Sequence, residues 1–165
     1  MFQEQMLVMS RALIDKAREK GVKLAAAESC TGGLLSALLT EIPGSSKAFE
    51  RGFVVYSNRA KQEMLGVPGE IIADHGAVSE TVAIAMAEGA ISASRADYAV
   101  SITGVAGPSG GTALKPVGLV HFGLASKNGL ILSEVCKFGD VGRAEVRRKS
   151  LIKAMDLLSE AIDRG

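Results

Sequence analysis

Apolar and polar positions alternate along the chain in a way that predicts helices and strands in turn. Leu7, Leu13, Ile14 and Ala17 recur with helical periodicity opposite Arg11, Lys16 and Glu19, which predicts a first amphipathic helix that stops at Gly21. Val22–Ala27 is a short apolar run that predicts a buried strand. Ser29-Cys30-Thr31-Gly32-Gly33 breaks the run, and Leu34–Leu39 resumes it as a helix. Phe53–Tyr56 predicts a second strand, followed by a short helix capped by Asn58 and ending at Leu65, before Gly66 and Pro68. Ser79 is suited to cap an alanine-rich helix carrying Ala83, Ala85, Ala87 and Ala90, and His75 falls in the loop before it. Tyr98–Ile102 predicts a third strand and Thr103–Pro116 a glycine-rich loop. Val117–Ala125 and Leu130–Phe138 read as a hairpin turning at Asn128-Gly129, with both turn residues at positive φ. A long last helix begins near Arg143 and buries Val146, Leu151, Ala154, Leu158 and Ile162.

Helices that alternate with the first three strands, followed by a hairpin, predict a three-layer α/β/α fold. Its sheet is mixed and mostly parallel, with about five strands and one antiparallel member. Sheets of this kind bind ligands beyond the carboxyl ends of their strands. Three polar segments are expected on that rim: Ser29–Gly33, Tyr56–Lys61 and Thr103–Thr112.

Composition narrows the function classes. The chain has 165 residues, 47% of them hydrophobic, which suits one domain over 1–165 with a full core. A net charge of +1 and an aromatic content of 4% give little support to a nucleic-acid partner. No apolar run reaches the roughly 20 residues that span a bilayer, and Met1–Lys20 lacks the pattern of a signal peptide, so cytoplasmic residence is the default expectation. Cys30 and Cys136, like His75 and His121, lie far apart in sequence without metal-ligand spacing, so no metal site is expected.

The three polar segments carry the candidate chemistry. Ser29, Cys30 and Thr31 offer hydroxyls and a thiol at the start of a helix, where free N–H groups attract a developing oxyanion; each hydroxyl equally suits an ordinary helix cap. A serine nucleophile needs a base, and neither histidine lies in these segments. Lys61 can serve if burial lowers its pKa, with Tyr56 to orient it or pass a proton; the ordinary alternative is a solvated helix lysine. The loop from Thr103 through Gly104, Ala106, Gly107, Gly110 and Gly111 can bring main-chain N–H groups close to an anion. It has neither a Walker A ending nor a GxGxxG placed before a helix. Arg143, Arg147 and Arg148 open the last helix; arginine suits phosphate, and Arg148 reads as solvated.

Ala27-Glu28-Ser29-Cys30-Thr31-Gly32-Gly33, Phe49-Glu50-Arg51-Gly52-Phe53, Tyr56-Ser57-Asn58 with Lys61, and Gly104–Gly111 leading into Lys115-Pro116-Val117-Gly118 together resemble the CinA C-terminal domain family. The resemblance spans nearly the whole chain. It implies a nicotinamide-nucleotide amidase that converts nicotinamide mononucleotide to nicotinate mononucleotide and ammonia in pyridine nucleotide salvage, as a homo-oligomer without a metal or other cofactor. It implies Ser29 as nucleophile, Lys61 as base with Tyr56 beside it, and Thr103 and Arg143 as ligand contacts. Cys30 is the rival nucleophile. The family reads Gly-Asp-Arg before its last helix, whereas this chain reads Gly139-Asp140-Val141-Gly142-Arg143, two residues longer. A counterpart of the molybdopterin-related N-terminal domain that many relatives carry is not expected in these 165 residues. A second reading is a non-catalytic nucleotide-binding or protein-interaction module linked to competence or DNA damage.

Overall fold

The computed structural model describes residues 1–165. Its elements in order are α1 (Glu4–Lys20), β1 (Leu24–Glu28), α2 (Leu34–Thr40), β2 (Phe49–Val54), α3 (Asn58–Leu65), α4 (Gly69–His75), α5 (Glu80–Ser92), β3 (Tyr98–Gly104), β4 (Leu119–Ser126), β5 (Ile131–Lys137) and α6 (Arg143–Arg164). The sheet order is β2-β1-β3-β4-β5. β2 and β3 run parallel to β1, and β4 pairs antiparallel with both β3 and β5, so β4 alone runs against the other four. The three-layer α/β/α architecture with one antiparallel strand is the one the pattern predicts. No helix is long and apolar enough to cross a membrane.

Alternation along the strands divides the core. Leu24, Ala26, Val100, Ile102, Phe122 and Leu124 face α1, α2 and α6, where they meet Leu13, Leu35, Leu38, Leu151 and Leu158. Ala25, Ala27 and Ala99 face α3, α4 and α5, with Phe53, Leu65, Ile72, Val82 and Met86. All five residues of the predicted α6 stripe are buried. The small residues bring α5 close to the sheet: Ser101 donates to the Ala83 carbonyl, and a Cβ on Gly123 would collide with that same oxygen.

Several boundaries differ from the sequence expectation. β2 begins at Phe49, because the strand pairs with β1 from Leu24 onward, and it ends before Tyr56. Ser57, not Asn58, caps α3 by accepting from Ala60 N at 3.0 Å. α4 was not expected: it has seven residues, no side-chain cap and one buried residue, Ile72, too little to print a helical stripe. His75 is therefore the last residue of a helix. β3 runs on to Gly104, because Thr103 and Gly104 pair with His121 and Val120. At the hairpin only Gly129 has positive φ, at 95°; Ser126 N bonds Leu130 O across a three-residue loop closed by a left-handed glycine, so the two-residue turn is not formed.

Candidate active site

Sheet register sets the site. Glu28 lies level with Val54 of β2 and Ile102 of β3, so the segments leaving these three strands emerge side by side at one edge. They frame a cavity of about 380 Å³ lined by Ser29, Cys30, Tyr56, Asn58, Lys61, Ala77, Val78, Thr103–Gly107, Ser109, Gly110 and Arg143. The three separated segments of the sequence meet here.

Ser29 follows Glu28 at the end of β1, and its side chain turns to the α3 side. Lys61, one turn into α3, points inward and is 1% exposed. Its Nζ donates to Ser29 Oγ at 2.9 Å, to the Val55 carbonyl at 3.0 Å and to the Tyr56 carbonyl at 3.3 Å. Burial holds its pKa below the ordinary lysine value, with the Cys30 thiol opposing in part. The same three partners serve both protonation states: an ammonium donates to all three, whereas a neutral amine donates to the two carbonyls and turns its lone pair to the hydroxyl of Ser29, the one partner that can also donate. This is the geometry of a serine activated by an amine base.

Cys30 lies beside Ser29 but is 5% exposed and packs into the core on the α2 and α6 side. Burial pushes its thiol up to about 11, away from the thiolate a nucleophile needs. Tyr56 meets Lys61 through its main-chain carbonyl, while its hydroxyl lies at the cavity rim and accepts from Arg143 at 3.3 Å. Thr31 is fully buried; its hydroxyl donates to Glu28 and its carbonyl accepts from Arg147, so it serves the protein's own structure behind the cavity. Thr103 donates its hydroxyl to the Ala77 carbonyl at 2.9 Å and so holds the cavity floor, with lone pairs left to accept.

Gly32 and Gly33 have φ of 59° and 99°, which lets the chain turn sharply from β1 into α2. The N–H groups of Cys30, Thr31 and Gly33 donate to no other residue's carbonyl, nor do those of Ala106, Gly107, Ser109, Gly110 and Gly111 on the facing loop. Of these, Cys30, Ala106, Gly107, Ser109 and Gly110 line the cavity, where their N–H groups suit an anion; Thr31, Gly32, Gly33 and Gly111, expected at the site, do not line it. Arg143 closes the rim by donating to the Gly107 carbonyl at 2.9 Å as well as to Tyr56. Gly142, with φ of 100°, turns the longer Val141-Gly142 segment so that Arg143 still reaches the cavity.

Two side chains matter more than sequence reasoning shows. Glu28 binds four donors beneath the serine loop. Arg147 reaches the Thr31 carbonyl at 3.2 Å and keeps a buried Nε without a partner. The four-residue spacing of Arg143 and Arg147 on one helix face is the only hint in the sequence that both point the same way. Arg148 instead pairs with Glu145 at the surface.

The chain is similar to known proteins over nearly its whole length. A family model described as the CinA C-terminal domain matches residues 7–162. The nicotinamide-nucleotide amidohydrolase PncC of Escherichia coli is 47% identical over 159 residues, covering 96% of this chain and 95% of that protein. A putative competence-damage inducible protein of Caldicellulosiruptor bescii is 44% identical over 94% of this chain, which spans only 37% of that longer relative. The crystal structure of the competence/damage inducible protein CihA from Agrobacterium tumefaciens superposes with a TM-score of 0.96 at 45% identity, covering 99% of this chain and 98% of that one. With sequence, length and fold in agreement, the chain belongs to the CinA C-terminal domain family.

Proposed function

We propose that the chain hydrolyses the carboxamide of nicotinamide mononucleotide, giving nicotinate mononucleotide and ammonia. The observation that carries the chemistry is the buried contact between Lys61 Nζ and Ser29 Oγ at 2.9 Å inside a ligand-sized cavity. The substrate comes from the Escherichia coli relative, which matches over nearly its full length and is named for that activity.

In this reading Ser29 Oγ attacks the carboxamide carbon while neutral Lys61 takes the hydroxyl proton. The tetrahedral oxyanion accepts from the N–H of Cys30, beside the nucleophile; one such donor is typically worth about 2.7–4 kcal/mol. Lys61 then protonates the departing amine, ammonia leaves, and an acyl ester on Ser29 remains. Water attacks the ester, Lys61 takes its proton, and the C–O bond to Ser29 breaks with the proton returned to Oγ. The glycine loop and Arg143 hold the ribose phosphate. The protein acts as a homo-oligomer in the cytoplasm, with no cofactor.

The test is ammonia release from nicotinamide mononucleotide by the purified chain, with nicotinate mononucleotide identified as the second product. Both products in equal amounts support the reading. Binding of the mononucleotide without turnover would instead make the chain a non-catalytic nucleotide-binding module.

A further inference from the structure

Glu28 is the only buried carboxyl side chain in the molecule, and the reaction above gives it no part. Four donors converge on it: Thr31 Oγ1 at 2.7 Å and Leu35 N at 2.9 Å on one oxygen, Ser36 N at 2.9 Å and Ser36 Oγ at 2.8 Å on the other. Gly52 makes room for this set, since a Cβ there would collide with Ser36 Oγ. α2 has no side-chain cap of its own, because Gly33 stands at its N-cap position. Glu28 therefore takes the N–H groups that a helix start leaves free.

Two consequences reach the reacting pair. Glu28 draws the Thr31 hydroxyl inward, which fixes the turn carrying Ser29 and the N–H groups of Cys30 and Thr31. Its main-chain carbonyl accepts from Val55 N at 2.9 Å, and the Val55 carbonyl in turn accepts from Lys61 Nζ. One residue thus ties together the turn that holds the nucleophile and the strand end that holds the base.

We infer that the Glu28 carboxylate is a positioning group for the Ser29–Lys61 pair, acting through Thr31 on the serine turn, while the residue's main chain, unchanged by substitution, fixes the Val55 strand end. It touches neither substrate nor reacting atoms. The inference rests on the proposed role of Ser29 and Lys61, and the test separates the two.

Glu28→Gln in the full chain keeps the side-chain shape but places an NH₂ against donors. Its kcat for ammonia release is expected to fall about 10–100-fold, the range for small misplacements of a reacting group, with KM within about twofold. The acidic limb of its pH profile should stay where the parent's lies, because Lys61 keeps its surroundings. Thr31→Val removes the same hydrogen bond from the other end and should lower kcat comparably, and the double variant should lose no more than the worse single one. Ser36→Ala removes a Glu28 contact on the α2 side only; it should keep kcat within about twofold of the parent while lowering the urea midpoint.

A folded Glu28→Gln protein with parental kcat, losses that multiply in the double variant, or a Ser36→Ala protein as slow as Glu28→Gln would each overturn the inference. If Glu28→Gln does not fold, Thr31→Val decides: a kcat loss of about tenfold or more at steady KM supports the role, and parental kcat removes it. A parent that releases no ammonia sinks the proposed function and this inference together, whereas an active parent with an indifferent Glu28→Gln sinks the inference alone.

Discussion

Replacing Lys61 by Met separates the two demands on this buried amine. Methionine fills similar space but removes the base, and a general base contributes about 10²–10⁴-fold to rate, so ammonia release should fall by that range. Stability responds with a pH dependence that can be worked from the site. The substitution strips a donor from the Val55 and Tyr56 carbonyls, at roughly 1–3 kcal/mol for each buried acceptor, or about 2–4 kcal/mol together because the Tyr56 contact is only part-buried. Against this stands the cost of burying the amine, which holds the folded pKa below the ordinary 10.5. Between the folded value and 10.5 the unfolded chain binds a proton that the folded chain does not, so parent stability rises with pH across that window and is lost as pH falls through it. Each unit of depression corresponds to about 1.4 kcal/mol. Urea unfolding of parent and Lys61→Met at several pH values up to 10 measures the difference directly, since the other titrating groups cancel. The parent should gain on the variant as pH rises. A constant difference across the range, or a Lys61→Met protein with parental turnover, would refute the reasoning.

Four further outcomes follow from the geometry. Gly52→Ala should lower the urea midpoint while keeping kcat within about twofold of the parent, because its Cβ displaces Ser36 Oγ from Glu28 on the α2 side only; parental stability would show that the close approach does not matter. Arg143→Gln should raise KM for the mononucleotide by about tenfold or more, the scale of one lost charge-assisted contact, and leave KM for nicotinamide riboside nearly unchanged; equal effects on both would detach Arg143 from the phosphate. Cys30, with its thiol held up to about 11 by burial, should react with iodoacetamide at pH 8 far more slowly in the native protein than in urea, and equal rates would contradict its burial. The kcat of the parent should rise with pH along a single limb as Lys61 loses its proton, and a flat profile would remove Lys61 as base.

The sequence discloses those parts of the fold whose cause is local. The α6 stripe, the Gly21 stop of α1 and the Ser79 cap of α5 each depend on residues within a few positions, and each is formed. α4 escaped because seven residues with one buried position leave no periodic trace. The hairpin lies where the pattern puts it, but its loop length depends on which cross-strand pair closes it, and two turn residues do not reveal that.

The site follows the same division. Ser29 and Lys61 were nameable because strand ends in a parallel sheet converge, and the level register of β2, β1 and β3 brings them to 2.9 Å. Side-chain duties within the rim were not. The hydroxyls of Thr31 and Thr103 also donate within the protein, to Glu28 and to the Ala77 carbonyl, and neither bond is written in the local sequence. Glu28 sits in plain view beside Ser29, but strand alternation sends it to the opposite face, where its partners Leu35 and Ser36 come from the next helix. Arg147 meets the serine turn from 116 residues away, a distance over which sequence pattern carries no direction.

The most direct test of the central claim is turnover of nicotinamide mononucleotide by Ser29→Ala and Cys30→Ala beside the parent, each with folding checked by circular dichroism. The parent and Cys30→Ala should release ammonia, and Ser29→Ala should release none above the no-enzyme control while remaining folded. Turnover by Ser29→Ala, or its loss in a folded Cys30→Ala protein, would contradict the assignment of Ser29 as the nucleophile served by Lys61.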